Sequence, residues 1–275
     1  MVPTLIAHRG YAGSAPENTV GAVEAAAGDP RTGGIEIDVQ PCRDGEPVVF
    51  HDWRLDRRND GSQGLTDAAG VVRETPVETV ESATVLDSGW TVPRLESLCA
   101  ALPTETFLTV ELKAPDRGEI RHEFGLSEAE RRDQRRQWTP FLNRVEAILE
   151  RFELDVRFGS FCEAAVAEAA ARGHETAPIC AADDVEAAID FADDAGCAAV
   201  HMNLESIDGE GGGFDAVSAC RRSGLEVVGW TARTWHDAAR MIDAGVDGVT
   251  ADYPSLLDAP RRSTESASGS GGPRR

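Results

Sequence analysis

Short runs of β-branched and apolar residues recur along this chain, each followed by a longer stretch with helical spacing, and that alternation narrows the fold to a parallel α/β arrangement. The strand-like runs are Leu5 to Arg9, Gly34 to Val39, Phe107 to Lys113, Val156 to Phe161, Thr176 to Cys180, Ala198 to Asn203, Glu226 to Thr231 and Gly248 to Ala251. Helices are expected over Glu17 to Ala27, Leu95 to Leu102 and Phe141 to Phe152, and from Glu163, Asp184, Phe214 and Trp235. Eight strand–helix units predict an α/β fold, a parallel (β/α)8 TIM barrel over residues 1–258, with a small hairpin and loop excursion after strand two. Residues 54–92, polar and Gly-containing, form the excursion. Residues 114–140, dense in Arg, Glu and Asp, leave the rim after the third strand and are expected to be a lid, and 259–275, Ser/Gly-rich with no apolar face, a disordered tail.

Charge sits where such strands should not carry it. Ala7-His8-Arg9-Gly10, Ile35-Glu36-Ile37-Asp38-Val39 and Val48-Val49-Phe50-His51-Asp52 place titratable groups within or at the ends of apolar runs, which a site requires and a plain core does not. Glu36 and Asp38, two apart on a strand, leave one face together and repel unless a cation lies between them. Asp44-Gly45 reads as a two-residue hairpin turn that sets Arg43 opposite Glu46 and Asp38 opposite His51, with Pro41 and Pro47 allowing a slip of one residue. Glu111 and Lys113 repeat the spacing on the third strand. Glu36, Asp38 and Glu111 are hard oxygen ligands of the kind that suit Mg²⁺ or Ca²⁺, and Arg9 and Lys113 supply charge for an anion. A cation and an anion-binding pair in one pocket point to a phosphate. In a barrel the C-terminal strand ends form the active face, and His8, Asp38, Lys113 and Trp230 all fall at or near them.

The ordered set His8-Arg9-Gly10, Pro16-Glu17-Asn18-Thr19, Glu36-Ile37-Asp38-Val39, Asp44-Gly45, Val48-Val49-Phe50-His51-Asp52 and Glu111-Leu112-Lys113 resembles the glycerophosphodiester phosphodiesterase family. The resemblance continues through Val92-Pro93-Arg94-Leu95-Glu96, Gly159-Ser160-Phe161, Gly229-Trp230-Thr231, Gly245-Val246-Asp247-Gly248 and Asp252-Tyr253-Pro254, covering about residues 4–258. It implies His8 and His51 as the acid/base pair, Glu36, Asp38 and Glu111 as ligands of a divalent cation, Arg9 and Lys113 as phosphate contacts, and hydrolysis of a small glycerophosphodiester to an alcohol and glycerol 3-phosphate. Trp230 is a candidate substrate contact at the rim. Cys42 stands where the family commonly has Thr, and Arg233 where Asn is frequent, which leaves open what the rim binds. No Ser or Cys in these motifs is paired with a His, so the substrate's own 2-hydroxyl is the expected nucleophile. Two alternatives stand beside this reading. One is a phospholipase D-like phosphodiesterase on the same barrel, the other a catalytically silent barrel that binds a phosphoester.

With 27 basic and 48 acidic residues the net charge is −21, and Lys113 is the only lysine. So acidic a surface repels nucleic acid and anionic lipid, so neither nucleic-acid binding nor stable membrane association is expected, and its composition fits a chain adapted to high salt. Oligomeric state is not legible. Six scattered cysteines without a Cys-x-x-Cys fit reduced, buried thiols, and the opening Met1-Val2-Pro3-Thr4-Leu5-Ile6 has no signal peptide, so a cytoplasmic location is expected. Asn18 is expected to cap the first helix. His122, His174 and His236 lie in expected surface segments, and His201, near the end of the sixth strand, is ambiguous.

Overall fold

The computed structural model describes residues 2–114, 124–208 and 214–258. Eight parallel strands close into a barrel: β1 (Thr4–His8), β2 (Gly34–Pro41), β4 (Phe107–Leu112), β5 (Asp155–Ser160), β6 (Glu175–Cys180), β7 (Ala199–Asn203), β8 (Glu226–Ala232) and β9 (Gly248–Ala251). β3 (Pro47–Val49) adds antiparallel to β2. Closure comes from β1, which pairs with β2 on one side and β9 on the other. These strands are buried on both faces, by the barrel interior and by the helices outside, which is why they read as near-continuous apolar runs. The helices are α1 (Val20–Ala27), α2 (Val77–Glu81), α3 (Leu95–Cys99), α4 (Glu128–Leu149), α5 (Glu163–Ala171), α6 (Val185–Ala195), α7 (Leu204–Asp208), α8 (Ala216–Arg222) and α9 (Trp235–Ala244).

The hairpin register differs by one residue from the two-residue-turn expectation. Gly45 N–H donates to the Cys42 carbonyl (2.9 Å) and Cys42 N–H to that of Glu46 (3.0 Å), so the loop holds three residues, Arg43, Asp44 and Gly45. Gly45, at φ +74°, occupies the left-handed position that such a loop needs. Val39 therefore faces Val49, and Asp38 accepts through its carbonyl from Phe50 N–H (2.9 Å) rather than facing His51.

The excursion of residues 54–92 is held by a core of its own. Leu55, Val72, Val80 and Val92 are wholly buried and cluster with Val48, Phe50, Cys42 and Val85, so the outer side of β3 is covered while the polar residues of the excursion remain at the barrel mouth. Of the expected lid, residues 128–140 instead form the first half of α4, a helix of 22 residues begun by a Ser127–Glu130 capping box. Trp138, Phe141, Leu142 and Val145 bury that helix in the main core. Its N-terminus is tied to α5 by Glu163, whose carboxylate accepts from Gly125 N–H (2.7 Å) and Leu126 N–H (3.0 Å) and pairs with Arg131. Residues 115–123 and the tail 259–275 lie outside the described residues.

The N-terminal end of the barrel is plugged by Arg157, which donates to Glu175 on β6 (2.6 Å) and Glu226 on β8 (2.8 Å). All six cysteines are buried free thiols, and burial holds those of Cys99 and Cys162 up at about 12. Among the described residues no helix is long and apolar enough to cross a membrane.

Candidate active site

At the C-terminal ends of the strands lies a cavity of about 530 Å³, and His8, Arg9, Glu36, His51, Glu111, Lys113 and Trp230 all line it. The strand register explains the convergence of the acids. His8 pairs with Glu36 across β1–β2, and Asp38 with Glu111 across β2–β4, so positions on three adjacent strands meet in two neighbouring rows. Carboxylate oxygens of Glu36, Asp38 and Glu111 lie within 4.8 Å of one another, all three side chains buried.

The turn after β1 aims the first basic group. Arg9 adopts φ +52° and Gly10 φ +76°, and a Cβ on Gly10 would meet the backbone carbon of Ala22 at 2.8 Å, so only glycine lets α1 pack this closely. In that conformation Arg9 N–H donates to Glu36 (3.0 Å), while the guanidinium reaches Asp38 (3.0 Å) and Glu17 (2.6 Å). Lys113 places its ammonium on Asp38 (2.8 Å) and Glu111. Burial opposes charge on Asp38, but Lys113, Arg9 and His51 outweigh it and hold its carboxyl well below the usual carboxylate range. Glu36 goes the other way: burial, then repulsion from Asp38 and Glu111, raises it well above that range. The cluster is thus short of positive charge at Glu36.

Each histidine is oriented by a carboxylate. His8 Nδ1 lies 2.6 Å from Asp252, and His51 Nδ1 lies 3.0 Å from Asp52. A carboxylate only accepts, so each Nδ1 carries the proton and each neutral ring keeps Nε2 as its basic nitrogen. Burial, and then Arg9, lower the pKa of His8, with Asp252 pulling partly the other way. Asp52 also accepts from Asn59 N–H (3.0 Å), which ties His51 to the excursion.

Several residues of the site escaped the sequence reading. Asn18 does not cap α1. Thr19 does, accepting from Ala22 N–H (3.2 Å), while Asn18, at φ +59°, clamps Asp38 by donating to its carboxylate (2.7 Å) and accepting from its N–H (3.2 Å). Glu17 braces Arg9 and is reached in turn by Arg58 of the excursion (3.3 Å). Pro16-Glu17-Asn18-Thr19, part of the family resemblance and also expected to start the first helix, was the available signal for both. Asp252 sat in the Asp-Tyr-Pro motif without an assigned role. At the rim Trp230 stacks edge-on against Phe161 (5.5 Å between centroids), and Arg233, 73% exposed, lies 3.6 Å from Asp252.

A model of the Glycerophosphoryl diester phosphodiesterase family matches residues 8–256. A glycerophosphodiester phosphodiesterase of Caldanaerobacter subterraneus subsp. tengcongensis is 27% identical over 277 residues, covering 94% of this chain and 97% of that protein. Among solved structures, a phosphodiesterase of Oleispira antarctica in complex with the product sn-glycerol-3-phosphate superposes with TM-score 0.73 at 25% identity, covering 94% of this chain and 98% of that one. The glycerophosphodiester phosphodiesterase of Thermotoga maritima, at 20% identity, TM-score 0.69 and coverage of 93% and 97%, shares the fold. With the match running from His8 to the end of the barrel, this chain belongs to the glycerophosphoryl diester phosphodiesterase family of phosphoric diester hydrolases.

Proposed function

We propose that this protein hydrolyses glycerophosphodiesters to an alcohol and glycerol 3-phosphate, with His8 and His51 exchanging protons across a phosphate held beside Glu36, Asp38 and Glu111. The observation that carries the reading is that two carboxylate-oriented histidines, three converging acids and two cations line or border one cavity. The donor set fits a divalent cation: three hard oxygens from different strand positions lie within 4.8 Å of one another, and Glu36 is strained by its acidic neighbours. Glu36, Asp38 and Glu111 would hold Mg²⁺ or Ca²⁺, which when bound supplies charge against the phosphate oxygens and the developing transition state.

The remaining chemistry belongs to the chain. Arg9 and Lys113, both pushed upward against burial by the acids around them, stay charged and are available to the phosphate as it enters. The unprotonated Nε2 of one histidine takes the proton of the attacking hydroxyl, and the other, entering the step as an imidazolium, gives its Nε2 proton to the leaving oxygen. The substrate's 2-hydroxyl is next to the esterified carbon, and its tethering favours attack to form a cyclic phosphate; water then opens the ring with the histidine roles exchanged.

Hydrolysis of a panel of glycerophosphodiesters, assayed with and without chelator, tests the reading. Turnover is expected to vanish in excess chelator and to return with Mg²⁺ or Ca²⁺, while Zn²⁺ restores it poorly because no His or Cys ligand accompanies the carboxylates. Full activity in excess chelator contradicts the metal assignment, and inertness toward every diester contradicts the activity.

A further inference from the structure

Ile179 of β6, His201 of β7 and Thr250 of β9 form a deeply buried part of the cavity lining. His201 is adjacent to Ile179 in the sheet and only 3% exposed, and its Nε2 is buried with no hydrogen-bond partner among the described residues. A buried nitrogen left in this state is destabilising, and such groups in folded proteins are normally met by water or a ligand. Burial, and then the nearby Arg157 guanidinium, hold the ring down to about 3, so it is a neutral imidazole with one donor and one acceptor. That pairing complements a hydroxyl. Uncharged, it brings no ionic attraction to a phosphate, and Arg157 itself is engaged by Glu175 and Glu226 on the far side.

A diester in this cavity has one constant half, glycerol, and one variable half. The variable half needs room on the more exposed side of the lining, by Phe161, Trp230 and Arg233, so the constant half is placed against the buried side. With the phosphate beside Arg9 and Lys113, the glycerol carbon farthest from phosphorus reaches deepest. We infer that His201 is a specificity-determining residue that hydrogen-bonds the terminal hydroxyl of the substrate's glycerol at the buried side of the cavity. This assignment rests on the proposed function and adds to it a contact that selects glycerol over shorter or deoxygenated alcohols.

The test compares kcat/KM on sn-glycero-3-phosphocholine and on the phosphocholine ester of propane-1,2-diol, which keeps the 2-hydroxyl and lacks the terminal one. Wild type is expected to favour the glycerol ester by roughly 10- to 100-fold. In His201→Leu the ratio between the two substrates should collapse to near one, and His201→Gln, which can still donate and accept, should recover part of it. A ratio unchanged in His201→Leu overturns the inference, as does a wild-type enzyme that does not distinguish the two esters. The wild-type comparison decides even if the Leu variant fails to fold. If wild type hydrolyses neither ester, the proposed activity fails separately. Calorimetry with sn-glycerol 3-phosphate and propane-1,2-diol phosphate then reads His201 alone, with equal wild-type affinities overturning its role.

Discussion

Asp252 shows how much of this site depends on a single pairing. It lies 244 positions from His8 in the chain and 2.6 Å from its Nδ1. Replacing it with Asn keeps the shape but removes the obligate acceptor, so the imidazole loses the tautomer that leaves Nε2 basic. Asp252→Asn should lower kcat by on the order of 10²-fold. The pH profile supplies the sign. Asp252 raises the pKa of His8 against the lowering by burial and Arg9, so its removal lowers that pKa further. Whichever limb of the kcat profile His8 controls must therefore move to lower pH. A variant with reduced kcat and an unmoved profile would leave Asp252 a purely structural contact. Asn18 teaches a related lesson at the same scale: its type suits both a helix cap and a carboxylate clamp, and the left-handed backbone that decides between them is not written in its identity.

Among the elements, the β2–β3 hairpin and α4 carry the largest differences from expectation. Two- and three-residue loops both accept Asp-Gly, and they differ by one position in every residue pair beyond, so the chain's alternation alone could not choose between them. α4 begins at Glu128, well before the apolar spacing of Phe141 onward, because its first half buries little beyond Gln134 and Trp138 and reads as a charged loop. The Ser127–Glu130 capping box was the local sign of its start. Glu163 ties that start to α5 while itself fully buried, so Glu163→Ala leaves two backbone N–H groups without their acceptor. A loss of roughly 2–3 kcal/mol is expected. Melting should fall by roughly 4–10 °C for a domain of this size. An unchanged Tm would show that Gly125 and Leu126 find other acceptors.

For the whole molecule, charge dominates. A net −21 opposes compaction by self-repulsion, and added salt relieves it as the Debye length falls from ~30 Å at 0.01 M to ~3 Å at 1 M. Thermal melts in KCl should therefore move upward between low and molar salt. A flat or falling Tm would mean that the ion pairs lost to screening, such as Arg31–Asp29 and Arg94–Glu81 on the surface, outweigh the relief.

The sequence by itself determined the barrel and the chemical character of its mouth. Strands buried on both faces must be apolar along their length, so the eight runs stood out, and the few charges interrupting them marked the site or, at Arg157, the plug at the opposite end. The tertiary structure alone decided which partner each charge meets. Barrel closure sets β9 against β1 and so brings Asp252 to His8, the left-handed backbone at Arg9 and Asn18 aims both at Asp38, and the pairing of β6 and β7 buries a His201 nitrogen that has no partner among the described residues. These are contacts between residues far apart in the chain, set by backbone geometry and strand register, and neither is a property of local composition.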